Sequence, residues 1–381
     1  LTKSPVLFST TSSCSPFTPP IQSNTTSCLP PEIWRKIIIH FCHIEDYVAL
    51  SCVCHGFRHI ILGQRYRHRI IRQKGQTIAR ILSFLSRNCP NLRQLAICDC
   101  PQARDADLLG LVRICDRLES LSLSALKSIS GKSLMPFSNV TRLHTLDLSH
   151  TNVGDNCVRV LPTSLRVLRL SSTVQISDLS MSMLPRNLQV LDLSHTRITS
   201  RGVQELSNRC QSLHTLIISH TAVSTIEAAV LPPNLEIFTA THLEYFQHLN
   251  SLPQTLRLAD FSHNPHFSDE HIIHAHLPVN LHTLKLSNTR ISGQCFQYLP
   301  KNICCLYLDY TPIQPQLLSE LPKSIQDLYL SGTNVTDQSL LLLPPNLQKL
   351  DLYRCKLVTN EGLFQLSSRV SAKKPVQLFV H

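Results

Sequence analysis

Three kinds of side chain in this sequence are chemically capable, and their spacing decides what they can do. His40, Cys42, His43, Cys52, Cys54 and His55 are zinc-ligating types. Their cysteine pair, Cys52-x-Cys54, is tighter than the two to four intervening residues of structural zinc sites, so no metal is expected. No serine elbow, paired-carboxylate or metalloprotease motif occurs. The ten glycines are never closer than Gly56 and Gly63, which excludes the Gly-rich loops that cradle phosphates. No cofactor is expected and the chain reads as non-catalytic, a protein that binds rather than transforms.

Two further sets are periodic. His150, His195, His220, His242 and His263 recur with Ser172 in line between the first two. Imidazoles in register could bind an acidic segment or respond to pH, because histidine titrates near neutrality; duplication of a Ser-His-Thr unit would produce the same column. The second set is Tyr307, Asp309, Tyr310, Tyr329, Tyr353 and Arg354, in which four of the eight tyrosines gather. Tyrosine and arginine offer contact area and hydrogen bonds at little entropic cost, which suits a substrate-binding surface. The preference of strands for tyrosine accounts for the same gathering without a ligand.

Both sets hang on one repeat. The pattern Leu-x-x-Leu-x-Leu is clear at Leu143, Leu165, Leu188, Leu281 and Leu347, and Ile takes the first place at Ile303 and Ile325. With weaker copies at Leu92, Leu118, Leu213, Leu235 and Leu256 there are twelve, spaced by 21 to 26 residues. In a short strand alternate side chains share a face, so the second and third leucines of each copy enter one core. A single copy cannot bury that face, but stacked copies form a parallel ladder with a shared core. Eight residues after the first leucine stands a small polar side chain: Cys100, Thr151, Thr173, Thr196, Thr221, Asn264, Thr289, Thr311, Thr333 or Cys355. It is suited to satisfying backbone groups where the strand turns away. Leu126 and Leu243 break this position, and Phe238, Ala259 and Phe261 break the leucine pattern, so local irregularity is expected near 235–265.

The repeat resembles the leucine-rich-repeat family over about 265 residues. Its Cys or Thr position and phrases such as Ile176-Ser177-Asp178 and Val335-Thr336-Asp337 are most similar to the cysteine-containing subclass. The resemblance implies a concave strand face to which Tyr307 and Tyr329 point; their gathering with Tyr310, Tyr353 and Arg354 gives repeats ten to twelve as the expected substrate contact.

Ahead of the repeats, Pro30 and Pro31 open a helical pattern with Ile33, Ile37 and Phe41 on one face. Asp46 can cap a second helix carrying Val48, Leu50 and Val53, before Gly56 breaks it. Leu29-Pro30-x-Glu32-Ile33, Ile37, Asp46-Tyr47, Leu50-Ser51-Cys52-Val53-Cys54 and Phe57-Arg58 together resemble an F-box, with Phe57 where Trp is usual and Tyr47 where Leu is usual. That resemblance implies docking on a Skp-type adaptor, and through it a cullin ligase, with Leu29, Pro30, Ile33, Ile37, Leu50, Val53, Cys54 and Phe57 buried against the adaptor. A helical cap on the solenoid would use the same residues.

Composition sets the remaining bounds. The net charge is +11, and residues 58–93 supply nine basic and no acidic side chains. Such a block fits a nucleic acid, an acidic partner or a solvated helical face. The fifteen scattered cysteines read as reduced thiols. With no signal peptide and no long apolar run, no membrane association is expected, and the location is intracellular, cytoplasmic and/or nuclear. The chain opens on Leu1 rather than Met and is read as a piece of a longer protein.

The expected fold class is α/β: a curved leucine-rich-repeat solenoid built on a parallel strand ladder, preceded by a small all-α F-box. The expected order is a disordered Ser/Thr/Pro-rich tail at 1–27, an F-box at 28–66, a basic linker helix at 67–91, and about twelve repeats with a C-terminal cap at 92–381. The leading function is substrate recognition for a Skp–cullin–F-box ubiquitin ligase, with a protein substrate on the concave face. The alternatives are a leucine-rich-repeat scaffold without a ubiquitin role, or a chromatin or nucleic-acid-associated protein using residues 58–93, although nucleic acid is not the favoured partner.

Overall fold

The structure is a computed structural model that describes residues 66–71, 75–88, 92–226, 231–244, 246–250, 252–370 and 376–380. The F-box-like segment 28–65 and the zinc-type residues between His40 and His55 lie outside these residues.

Each leucine motif becomes a short strand, and fourteen strands pair in parallel into one ladder. From Ser120–Ser122 to Lys349–Asp351 every ladder strand has three residues, with a buried middle residue and two that face outward. The register puts like on like: Leu146 lies opposite Leu168, Leu168 opposite Leu191, and Leu328 opposite Leu350. All twelve first positions, from Leu92 to Leu347, are buried as well. Each such side chain contributes about 1.5–3 kcal/mol, mainly through its neighbours, so the array is stable as a stack.

The polar position does the backbone work expected of it. The Thr151, Thr196, Thr221, Thr289, Thr311 and Thr333 hydroxyls each donate to the carbonyl three residues earlier, at 2.5–2.7 Å. In six of the eight Leu-Pro repeats the proline carbonyl accepts the N–H of the next first-position residue, as Pro162 does from Leu165 and Pro300 from Ile303, and this turn starts the next strand.

One feature differs from the sequence reading. Residues 67–91 are not one linker helix: Tyr66–Ile71 is a strand paired with Leu92–Cys98, and the helix spans Gly75–Asn88. That strand supplies partners for backbone groups the first repeat would otherwise expose at an open edge. The helix buries Ile78, Ile81, Leu82 and Leu85, which share one face at three- and four-residue spacing. At the other end, Gln377–Phe379 adds a strand to Lys349–Asp351.

The irregular region leaves the ladder intact. Ile237–Thr239 pairs with Thr215–Ile217 on one side and Leu258–Asp260 on the other. The departure is on the outer side, where Thr225–Ile226 and His248–Leu249 form a separate two-stranded parallel sheet. In the same region Phe246, Phe261 and Phe267 are buried and pack with ring centroids 5.1–6.2 Å apart.

A rim of polar ladders holds the outer turns. Asp155 accepts the Ser177 N–H and hydroxyl, Asp178 those of Thr199, and Asp337 those of Thr359. The Ser-Asp and Thr-Asp phrases are therefore rung-to-rung ties, each aspartate in the first turn of one repeat reaching the helix cap or turn of the next.

Candidate protein-interaction surface

The residue seven places after each first leucine has one conformation throughout. Asp99, Ala125, His150, Ser172, His195, His220, His242, His263, Asn288, Tyr310 and Arg354 have φ of 53–60°, and Gly332 has φ 67°. Left-handed backbone reverses the chain direction after each strand, and histidine is among the residue types enriched there. At ten of these twelve positions the N–H donates to the next rung, as His220 does to the Thr241 carbonyl at 2.9 Å. The column is thus aligned by backbone bonds before any side chain contributes.

On this frame four imidazoles stack. The His195–His220, His220–His242 and His242–His263 centroids lie 4.0, 4.1 and 4.5 Å apart, with planes 10–15° from parallel. His150 stands one rung beyond Ser172, so the stack has four members rather than five. Partial burial lowers the His220 pKa below its ordinary value, and the neighbouring histidines lower it further. The same causes lower that of His242, against an opposing pull from Asp260.

The tyrosines form a second patch. Tyr307 and Tyr329, paired across adjacent strands, stack at 4.1 Å with planes 3° apart. The Lys285 ammonium lies 5.2 Å from the Tyr307 ring and 3.7 Å from Asp260. Burial, followed by the hydrogen bond with Tyr329, pushes the Tyr307 hydroxyl pKa up, so it stays a donor. The Arg354 guanidinium lies 5.2 Å from the Tyr353 ring, and hydrogen bonds with Tyr353 and Tyr310 raise its pKa.

Between the histidines and tyrosines lies a trough of about 440 Å³ lined by His263, Asn288, Tyr310 and Tyr353, with Asp260, Asp309 and Asp351 among its walls. These aspartates also shape the backbone: Asp260 accepts the Ser262 N–H at 3.0 Å, Asp309 that of Ser331 at 2.9 Å, and Asp351 that of Tyr353 at 2.9 Å. Asn288 was not among the expected site residues. Its position in the seventh-place column is the signal that could have found it. Among the described residues no three His, Cys, Asp or Glu side chains are placed to hold a metal ion. The described cysteines form no disulfide.

Residues 26–69 match the F-box domain family, and residues 185–207 match a leucine-rich-repeat family. The chain is an F-box protein with leucine-rich repeats. The F-box match ends inside the first ladder strand, Tyr66–Ile71. The expected adaptor-facing residues Leu29, Pro30, Ile33, Ile37, Leu50, Val53, Cys54 and Phe57 all fall within the F-box match and outside the described residues.

Over 150 residues this F-box protein is 33% identical to a Trypanosoma equiperdum protein named "Putative adenylate cyclase regulatory protein". The match covers 38% of this chain and 23% of that relative. In fold it is similar to a chain of the yeast Rad7–Elc1 complex, with a TM-score of 0.52, 16% identity and 91% of each chain covered. It is also similar to a chain of the TLR13–ssRNA13 complex, with a TM-score of 0.52 and 20% identity over 69% of this chain and 43% of that one. At these identities the likeness to the solved structures is one of fold. Among the described residues no helix is long and apolar enough to cross a membrane.

Proposed function

We propose that this chain is the substrate-recognition subunit of a Skp–cullin–F-box ubiquitin ligase. The observation that carries the reading is an F-box match at 26–69 directly ahead of a ladder whose strand face gathers tyrosine and arginine. F-box domains bind Skp-type adaptors, and leucine-rich repeats hold protein partners. In this reading Leu29, Pro30, Ile33, Ile37, Leu50, Val53, Cys54 and Phe57 bury against the adaptor.

The later repeats hold the substrate. Tyr307, Asp309, Tyr310, Tyr329, Tyr353 and Arg354 form the main contact surface, and the column His150, His195, His220, His242 and His263 flanks it. The chain performs no bond chemistry. It raises the effective concentration of the substrate beside the ubiquitin-transferring subunits, a gain set by geometry rather than by new contacts. The likeness to a chain of the Rad7–Elc1 complex accords with a ladder that works in a complex. The test is co-expression of the full chain with a Skp-type adaptor and a cullin. A cullin that co-purifies with this chain through the adaptor supports the reading, and a cullin that stays behind sinks it.

A further inference from the structure

Carboxylates tie the outer turns together, and one turn is tied differently. At five of them an aspartate of the preceding repeat accepts the N–H that opens the turn: Asp105 from Ser130, Asp155 from Ser177, Asp178 from Thr199, Asp269 from Ser292 and Asp337 from Thr359. Ser268 has no such partner, because the repeat before it reads Phe246-Gln247-His248-Leu249-Asn250 at that place, without an acidic residue. Its N–H donates instead to Nδ1 of His271 at 3.1 Å, in the first turn of the helix Asp269–His274. The other ring nitrogen, Nε2, lies 3.1 Å from the Gln247 carbonyl.

These two partners fix the proton. A backbone N–H can only donate, so Nδ1 is bare; a carbonyl can only accept, so Nε2 carries the hydrogen. A neutral imidazole in that one tautomer therefore joins the start of the helix to the outer strand His248–Leu249. The ring is half-buried, stacked on Phe267 at 4.9 Å and tilted against Phe246 at 5.5 Å. A proton on Nδ1 would face the Ser268 N–H donor to donor, with only the Ser268 hydroxyl, at 3.2 Å, left to accept it. Turning the ring away takes Nε2 off the Gln247 carbonyl, so both ties fail together. The aspartates of the other turns stay ionised well below the pH at which imidazole takes up a proton.

We infer that His271 is a pH-operated latch: neutral, it fastens the strand His248–Leu249 to the helix Asp269–His274, and protonated, it lets that outer turn open while the aspartate-tied turns hold. The charges that face it are His248 on the neighbouring strand, which opposes protonation, and Glu270 on its own helix, which favours it. His274 lines the same hollow, and Asp269 is engaged by the N–H groups of Ser292, Gly293 and Cys295. Burial is the largest influence and holds the His271 pKa below its ordinary 6.5, against the pull of the Gln247 carbonyl. Because the folded value is the lower one, the latch is fully closed above 6.5 and is lost as pH falls through the folded value. It works in the free chain, without adaptor or substrate.

The experiment reads ring and backbone in the full chain. Nitrogen-15 NMR of the histidine-labelled chain, with the His271 signal identified by its loss in His271→Gln, should show the Nε2–H tautomer at about pH 7.5. Hydrogen exchange then follows the amides of Gln247 and Asn250, which donate to the Ser224 and Ile226 carbonyls at 2.8 and 2.9 Å. Corrected for intrinsic rate, their protection in the parent should fall about fivefold or more between about pH 7.5 and 5. Glutamine keeps one acceptor and one donor but does not titrate, so His271→Gln should hold that protection across the range, with every other histidine unchanged. His271→Ala should be open at both pH values, while the Ser177 amide, tied to Asp155, stays protected throughout. An Nδ1–H tautomer at neutral pH, protection in the parent that ignores pH, or an equal fall in His271→Gln would overturn the inference.

Discussion

The side chain of Asn264 completes the backbone of the repeat that contains Leu243. Its Oδ1 accepts the Leu243 N–H at 2.6 Å, while its Nδ2 donates to the Ala240 and Phe261 carbonyls, each at 2.8 Å. Leu243 stands where other repeats have a threonine or cysteine, so one buried asparagine serves two rungs. Asn264→Ala strands three buried backbone groups and should cost about 3 kcal/mol in urea unfolding. Asn264→Thr combined with Leu243→Thr gives each rung its own hydroxyl. The pair should be more stable than the sum of the two single changes by about 1–2 kcal/mol, and strict additivity would contradict this account.

The leucine positions, the threonine column and the pairing of Tyr307 with Tyr329 were legible in the sequence because each depends on residue type at a fixed interval. The role of Asn264 was not, since it serves a partner 21 residues away that is defined by what Leu243 lacks. The left-handed column was hidden for the opposite reason. Its twelve positions hold Asp, Ala, His, Ser, Asn, Tyr, Gly and Arg, so a shared backbone conformation leaves no shared side chain. Tyr66–Ile71 was read as helix because a basic run without alternation carries no strand period; its pairing comes from the neighbouring strand.

Asp269 is a buried carboxylate that accepts the N–H groups of Ser292, Gly293 and Cys295 at 2.8–3.0 Å. Burial pushes its pKa up, but the hydrogen bonds from Ser292 and Cys295 outweigh burial and hold it below the ordinary carboxylate value. Asp269→Ala should destabilise the chain by about 2–4 kcal/mol, and Asp269→Asn, which keeps one oxygen, by less. Because the folded value is the lower one, this contribution is present above the ordinary carboxylate value of 3.8 and is lost as pH falls through the folded value. Acid titration of parent and alanine variant should converge at the lowest pH, and a gap that stays constant would count against this.

The histidine stack sets a second pH dependence. His220 and His242 have folded values below the ordinary 6.5, so the unfolded chain binds more protons. Their contribution is present above that value and is lost as pH falls through the folded ones. Between about pH 7.5 and 5 the melting temperature of the parent should fall more than that of a His220→Gln, His242→Gln variant. Identical slopes would show that the stacked rings do not resist protonation.

Tyr307→Ala with Tyr329→Ala removes the stacked pair while leaving the buried Leu306 and Leu328 in place. The variant should stay folded by circular dichroism yet lose most of its substrate capture, about tenfold or more, as truncation of aromatic binding hot spots does. Capture at the parent level would remove this patch from the substrate-binding surface.

Adaptor docking is the central claim, and a direct titration tests it. The purified full chain is mixed with a purified Skp-type adaptor and followed by calorimetry, beside the chain carrying Leu29→Ala and Phe57→Ala. Saturable one-to-one binding by the parent, weakened at least tenfold in the variant, is the result this account predicts. A folded parent that does not bind the adaptor, or a variant that binds as tightly as the parent, would contradict it.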